Sequence, residues 1–229
     1  FNSMFSAISS NTGDMSIKNL DLSKWNPKSA VKMNNMFQGC SKLIEMDVSG
    51  WDMPNLTTTS HMFSDCFDLQ SIDFTGWNTP ALTSMDGMFN DCRTIKQIDV
   101  SHFDTGNCVE FSQMFEACYA LEKIIGLDQW DTSSGYVFDE MFNVCGALKE
   151  LDLSSFDTSA ATYGYILQNG EKNYHGYGNM FNGTSSLQKL ILGEKFVFSG
   201  DGSIPAANYP KFPDPAAKEG YTAKWQNVD

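Results

Sequence analysis

The chain has 229 residues and carries 28 acidic against 15 basic side chains, so its formal net charge at pH 7 is −13. Nucleic acids and anionic membrane surfaces select basic patches, and this charge therefore argues against both as partners. Aromatic residues make up 13% of the chain, which is typical of a folded protein. No apolar run approaches the ~20 residues that span a bilayer, so we expect no membrane insertion.

A five-residue motif, Met-Phe-x-x-Cys, recurs along the chain at spacings of 26 or 27 residues. Its complete copies begin at Met36, Met62, Met88, Met114 and Met141. Weaker copies begin at Met4 and Met180. A period in the twenties predicts stacked coils that bury one continuous core. Because the first copy starts at the beginning of the sequence, we expect a mature or trimmed piece that opens inside a repeat.

The first element predicted in each repeat is a short strand after the cysteine. The pattern there is L-x-x-L-x-L, and its last two apolar positions alternate with polar residues, as in a half-buried strand. We expect seven such strands in one parallel sheet. Representative apolar pairs are Leu20 and Leu22, Met46 and Val48, Ile72 and Phe74, Ile98 and Val100, Leu151 and Leu153, and Leu190 and Leu192.

An aromatic residue and then Asn or Asp follow each strand. The aromatic positions share one repeat phase, which favours a stacked core over an exposed sugar platform. The short polar side chains sit in a turn context and favour capping over catalysis. The two columns are Trp25, Trp51, Trp77, Phe103, Trp130 and Phe156, and Asn26, Asp52, Asn78, Asp104, Asp131 and Asp157.

The segment around Met-Phe predicts a short helix. Met85, Met88 and Phe89 stand at i, i+3 and i+4, with Thr83 or Ser84 as the N-cap. The motif cysteines, Cys40, Cys66, Cys92, Cys118 and Cys145, share one phase and predict a ladder of small buried side chains, with disulfides or metal binding as the alternatives. Cys108 occupies a repeat position that is otherwise apolar. No paired ligands at zinc-finger spacing occur, so we expect neither metal nor cofactor.

The run MFNVCGALKELDLSSFDTS, from Met141 to Ser159, resembles the repeat of BspA-type leucine-rich-repeat surface proteins, in the version also found in mycoplasma lipoproteins. The resemblance implies an α/β, leucine-rich-repeat-like solenoid of about seven coils over residues 1–198. A Pro-rich capping segment would follow at 199–229. The family further implies bacterial surface exposure and a role in adhesion or protein recognition, and it supplies no catalytic residues.

Insertions interrupt the 26-residue period at three places. Six extra residues lie within Ser9 to Ser16, one lies near Gly126, and thirteen lie between Ala160 and Gly178. Insertions in repeat proteins form loops, often on the binding face. The last one combines Tyr with Gly and Asn, as binding loops do, although a self-packed or disordered loop is an equal alternative. Its candidate ligand-binding residues are Tyr163, Tyr165, Tyr174 and Tyr177.

Acidic residues occupy one outward position of the predicted strands. The column contains Asp21, Asp47, Asp73, Asp99 and Asp152, with Ile125 and Ile191 interrupting it. Neighbouring strands lie ~4.8 Å apart, so we expect repulsion to raise the pKa values of these carboxyls. Hydroxyls two residues on could donate hydrogen bonds that offset the repulsion. A solvated acidic face is one interpretation, and a site for a basic partner or a bridging cation is the other.

Catalysis is hard to defend from this sequence. His61, His102 and His175 share no repeat phase, and no nucleophile elbow, zincin motif or phosphate-binding loop occurs. We therefore expect a non-catalytic, extracellular recognition or adhesion module on a bacterial cell surface, which binds a protein ligand such as a host matrix protein. Carbohydrate binding and a structural stalk are the alternatives.

Overall fold

The computed structural model describes residues 1–6, 17–22, 24–162, 165–166, 172–173 and 178–197, the two dipeptides by their backbone only. The predicted capping segment at 199–229 and the insertion within Ser9 to Ser16 lie outside these residues. No helix of the described chain is long and apolar enough to cross a membrane.

Short strands are the main regular elements. Their bounds are Glu45–Asp47 (β1), Ser71–Asp73 (β2), Gln97–Asp99 (β3), Lys123–Ile125 (β4), Glu150–Leu153 (β5), Tyr165–Ile166 (β6), Lys172–Asn173 (β7) and Lys189–Leu192 (β8). Three pairs are parallel, β1 with β2, β3 with β4 and β5 with β8, and β6 pairs with β7 in antiparallel fashion. The parallel registers join equivalent repeat positions, such as Met46 with Ile72.

The predicted α/β leucine-rich-repeat-like solenoid is wrong. Among the described residues there is no α-helix, and the only helical turns are 3-10 segments at Leu127–Gln129 and Ser159–Thr162. The strands also do not merge into one seven-stranded sheet, because they form separate two-stranded sheets. In the first repeat, a single parallel bridge from Asn19 to Glu45 stands where a strand was expected.

The helix prediction failed because the Met-Phe segments bond to the next repeat. Asn35 N–H donates to Ser60 O at 2.9 Å, Phe37 N–H to Met62 O at 2.9 Å, and Gly39 N–H to Ser64 O at 2.8 Å. These alternate donors are then not available for i→i−4 bonds. The residue before each Met also has a positive φ, for example 57° at Asn35, and such a residue interrupts a right-handed helix.

These segments carry the most continuous backbone contact between repeats. Isolated parallel bridges join Lys32 to Thr58, Thr58 to Ser84, Ser84 to Glu110, and Glu110 to Val137. Apolar side chains at helical spacing therefore mark a buried, hydrogen-bonded turn segment here. From Met36 onward the Met and Phe side chains of the motif are buried as expected, although the backbone that presents them is not helical, whereas Met4 of the first copy is exposed.

Two aromatic columns form the core. The Phe residues of the motif stack from repeat to repeat, with ring centroids 5.3 Å apart for Phe37 and Phe63 and 5.7 Å apart for Phe63 and Phe89. The second column stacks Trp51 on Trp77 at 6.2 Å and continues to Phe156. From Trp51 onward its members are buried. The stacked-core prediction is confirmed, and this column offers no open sugar platform.

The six cysteines are all free and buried. Each motif thiol donates to a Phe carbonyl of the preceding repeat, as Cys66 Sγ does to Phe37 O at 3.3 Å and Cys145 Sγ to Phe115 O at 3.0 Å. Burial raises the pKa of Cys40 to about 11 and that of Cys118 to about 12, so both thiols are neutral at pH 7. The buried-ladder prediction is confirmed over the disulfide alternative.

Candidate binding cleft

The strand-end aspartates lie in tight local turns. Asp47, Asp73, Asp99 and Asp152 each accept the backbone N–H two residues on, at 2.9, 2.8, 3.0 and 3.0 Å. These are Asx turns, which end each strand. Asp21, the first of the column, is exposed. Each of these four carboxylates thus has a local structural role, which supports the structural interpretation of this column.

The prediction of raised pKa values in this column is wrong at two positions. The Thr75 hydroxyl and then the Thr75 N–H lower the pKa of Asp73 below its ordinary value. Partial burial raises the pKa of Asp99, but the hydroxyl and N–H of Ser101 outweigh it, and the net shift is downward. The Ser101 hydroxyl lies 2.6 Å from Asp99 Oδ1. Hydrogen bonds to the charged form therefore exceed the repulsion between neighbouring carboxylates.

The Asn/Asp column after the aromatic residues behaves partly as predicted. Asn26, Asp131 and Asp157 accept the N–H two residues on, at 3.1, 3.0 and 3.0 Å, and cap turns. Asp52 instead accepts a 2.7 Å hydrogen bond from the Asn78 side chain of the next repeat. This column therefore ties turns and repeats together.

The tyrosine candidates cannot be placed as a group. Tyr163, Tyr174 and Tyr177 lie outside the described residues. Tyr165 belongs to β6, whose backbone pairs with Asn173 of β7. The binding role of this insertion stays a prediction.

A cleft of about 650 Å³ lies on the outward face of β3, β4, β5 and β8. Its apolar lining residues are Ile124, Leu151 and Ile191, of which only Ile191 is exposed, since Leu151 is buried and Ile124 packs against the core. Its charged side chains are Lys96, Glu122, Lys123, Lys149, Glu150, Asp152 and Lys189. Of the predicted site residues that the structure describes, only Asp152 lines it. The cleft therefore gathers residues that sequence reasoning did not combine, although the break in the Asp column at Ile191 was a signal for it.

The register of the strands places isoleucine where other repeats have aspartate. Asp99 pairs with Ile125, and Asp152 pairs with Ile191, so an aliphatic side chain replaces a carboxylate in two of the repeats. Ile191 is 36% exposed, so its side chain is open to contact from outside. The face therefore changes along the stack from acidic to mixed aliphatic and basic.

Two of the four cleft lysines form ion pairs with a glutamate of a neighbouring repeat. Lys149 Nζ lies 2.8 Å from Glu122 Oε2, and Lys189 Nζ lies 3.8 Å from Glu150 Oε2. The hydrogen bond from Lys149 lowers the pKa of Glu122. Lys96 and Lys123 are exposed, and neither forms an ion pair or a side-chain hydrogen bond with any described residue. The cleft thus presents two ammonium groups that form no ion pair in the described chain, although the charge of Lys96 also helps to lower the pKa of Glu122.

A second polar cluster joins His61, Asp86 and Ser112 on the Met-Phe side. His61 Nε2 lies 3.3 Å from Asp86 Oδ2, and Ser112 Oγ donates to Asp86 Oδ1 at 2.8 Å. The imidazole lies over Gly87, where an added Cβ would be 2.2 Å from His61 Nδ1. Since Ser112 and His61 both bond to the carboxylate, these contacts do not align a hydroxyl nucleophile with a histidine base.

The His61–Asp86 contact makes stability depend on pH. The hydrogen bond with Asp86 raises the pKa of His61 above its ordinary value of 6.5, against an opposing effect of burial. Burial raises the pKa of Asp86, but the hydrogen bonds from His61 and Ser112 lower it overall. The contribution of His61 is therefore complete below pH 6.5 and is lost as pH rises through the higher folded-state value.

We expect the His61→Gln variant to lose more unfolding free energy, relative to wild type, at about pH 5.5 than at about pH 8.5. Urea denaturation at both pH values measures the difference. Glutamine is sterically suitable because Gln113 occupies the equivalent position with a φ of 54°, against 53° at His61. In an Asp86→Asn background the pH-dependent difference should vanish. A difference that is equal at both pH values would contradict the assignment.

Among the described residues, no group of three or more His, Cys, Asp or Glu could hold a metal ion.

The family model described as "Mycoplasma protein of unknown function, DUF285" matches residues 1–125 and 83–182, which together cover more than three quarters of the chain. The chain belongs to this family. The two matches overlap over 83–125, as expected when a repetitive chain aligns in more than one register. No curated protein and no solved structure matches this DUF285 chain.

Proposed function

We propose that this DUF285 protein is a non-catalytic recognition module that binds a protein ligand at a bacterial, extracellular cell surface. The observation that carries the proposal is the strand-face cleft, which combines the exposed Ile191 with two exposed lysines, Lys96 and Lys123, that form no ion pair with any described residue. Concave sites of this kind, with a few converging polar groups, are the usual form of a binding site. The resemblance of residues 141–159 to the BspA-type repeat supports the surface location.

A protein ligand fits the cleft better than a carbohydrate. Sugar sites use open aromatic faces, whereas no aromatic residue of the described part of the chain lines this cleft. The aromatic column from Trp51 to Phe156 is buried in the core. A protein that served only as a structural stalk would need no cleft. The cleft therefore favours a binding function over a stalk function.

The cleft can be tested with one substitution on its floor. We expect Ile191→Asp to weaken binding to a purified extracellular matrix protein by about tenfold or more, because it places a charge where an aliphatic contact is made. The matched control is Val31→Asp, since Val31 is also exposed, at 51%, and lies outside the cleft. Binding would be measured against arrays of purified matrix proteins and of glycans, and surface labelling of intact cells would test the location.

Three outcomes would contradict the proposal. Binding to glycans alone would favour the carbohydrate alternative. Failure on both arrays would favour the stalk. Equal binding by wild type and Ile191→Asp would remove the cleft from the interface.

A further inference from the structure

We infer that the ligand segment held in the cleft is an extended, acidic stretch of a partner protein, with carboxylates on Lys96 and Lys123 and an aliphatic side chain on Ile191. This inference rests on the proposed function and specifies the chemistry of its ligand.

Lys96 and Lys123 supply the charge preference. They belong to adjacent repeats, on or next to β3 and β4, whose backbones are hydrogen-bonded to each other. Their neighbours Lys149 and Lys189 already contact Glu122 and Glu150. An incoming carboxylate thus finds two amines whose binding breaks no existing ion pair.

The apolar surface of the cleft predicts that the ligand carries aliphatic side chains as well as acidic ones. Ile191 is exposed and lines the cleft, whereas Ile124, which also lines it, is half-buried and packs against the core. A ligand that offered charge alone would leave this apolar surface in water. Since burial of apolar surface is the main favourable term in association, a ligand with aliphatic and acidic side chains matches more of the site.

The other half of the same face restricts where an acidic segment can lie. β1 and β2 present Glu45, Asp47 and Asp73 outward, and β3 adds Asp99. These carboxylates repel an acidic ligand, whereas the cleft has one more lysine than carboxylates. The gradient of charge along the face therefore directs the segment to β3, β4, β5 and β8.

Dense polyanions fit less well than a protein segment. Glu122, Glu150 and Asp152 stand among the cleft lysines, and the chain as a whole carries a charge of −13. A sulfated glycan or nucleic acid would bring closely spaced charges against these carboxylates. A polypeptide can instead place single carboxylates opposite single lysines and leave uncharged side chains elsewhere.

Titration calorimetry with the intact chain tests the inference. The probe is a synthetic peptide in which aspartate and leucine alternate, and its neutral counterpart has asparagine for aspartate. We expect the acidic peptide to bind, more weakly at high salt, and the neutral one to bind about tenfold more weakly. The Lys96→Glu/Lys123→Glu variant should lose about tenfold in affinity for the acidic peptide.

The control variant is Lys24→Glu/Lys32→Glu, which changes the net charge equally and alters two exposed lysines outside the cleft. It should bind as wild type does, and thermal melts should show that both variants fold. Equal loss in both variants, no preference for the acidic peptide, or tighter binding of heparin would overturn the inference. If Ile191→Asp still abolishes binding of a matrix protein in that case, the proposed function stands and only the acidic ligand is rejected.

Discussion

Replacing Phe89 by alanine is expected to lower the free energy of unfolding by about 3–5 kcal/mol. Phe89 is fully buried and stacks between Phe63 and Phe115, with centroid distances of 5.7 Å on both sides. Phe74 meets it edge-on, also at 5.7 Å. Truncation would leave a cavity between two repeats, and in a repeat protein each layer is stabilised by its neighbours.

Urea denaturation followed by circular dichroism measures this loss. Tyr119→Ala is the control, because Tyr119 is an aromatic residue that is 49% exposed. We expect that variant to change the unfolding free energy by less than about 0.5 kcal/mol. Comparable losses in the two variants would show that the stacked column does not carry the stability assigned to it. A changed urea dependence in Phe89→Ala would indicate that the repeats no longer unfold together.

The second large effect is expected at Gly126, the extra residue of its repeat. Its φ is 91°, and an added Cβ would lie 2.5 Å from Ser101 Cα of the preceding repeat. Gly126→Ala would combine a left-handed backbone penalty with a clash against main chain, and we expect a loss of about 3 kcal/mol.

The Gly50→Ala variant measures the backbone penalty without the clash. The φ of Gly50 is 69°, but an added Cβ there would have no atom within 4 Å. Gly50→Ala should therefore cost only the backbone penalty, about 1 kcal/mol. Thermal and urea unfolding of both variants give the comparison. Equal costs at the two positions would mean that the chain moves to accommodate a side chain at Gly126, and that the two repeats are not closely packed there.

The candidate site illustrates why function was harder to predict than the core. Sequence reasoning selected the Asp column, because identical residues in one phase are easy to see. In the structure those aspartates are strand-end caps, and two of them have lowered pKa values because of hydrogen bonds from Thr75 and Ser101. The cleft is found instead where the column is interrupted. Its lysines occupy two different repeat positions and become one surface only when four repeats are placed side by side.

The sequence by itself determined the period, the members of the two aromatic columns and the burial of the cysteines. Those features depend on which side chains avoid water and on the repeat that aligns them. It also indicated the Asx turns, since an Asp or Asn bonds to backbone only two residues away.

Tertiary structure alone decided how the Met-Phe segments bond. Apolar side chains at helical spacing are compatible with a helix or with a turn segment, and the choice depends on whether the backbone N–H groups find acceptors within the segment or in the next repeat. Here they find them in the next repeat, as Phe37 does at Met62. The same stacking brings Lys96, Lys123 and Ile191 to the lining of one cleft, and no local pattern could predict a cleft whose residues are distant in sequence.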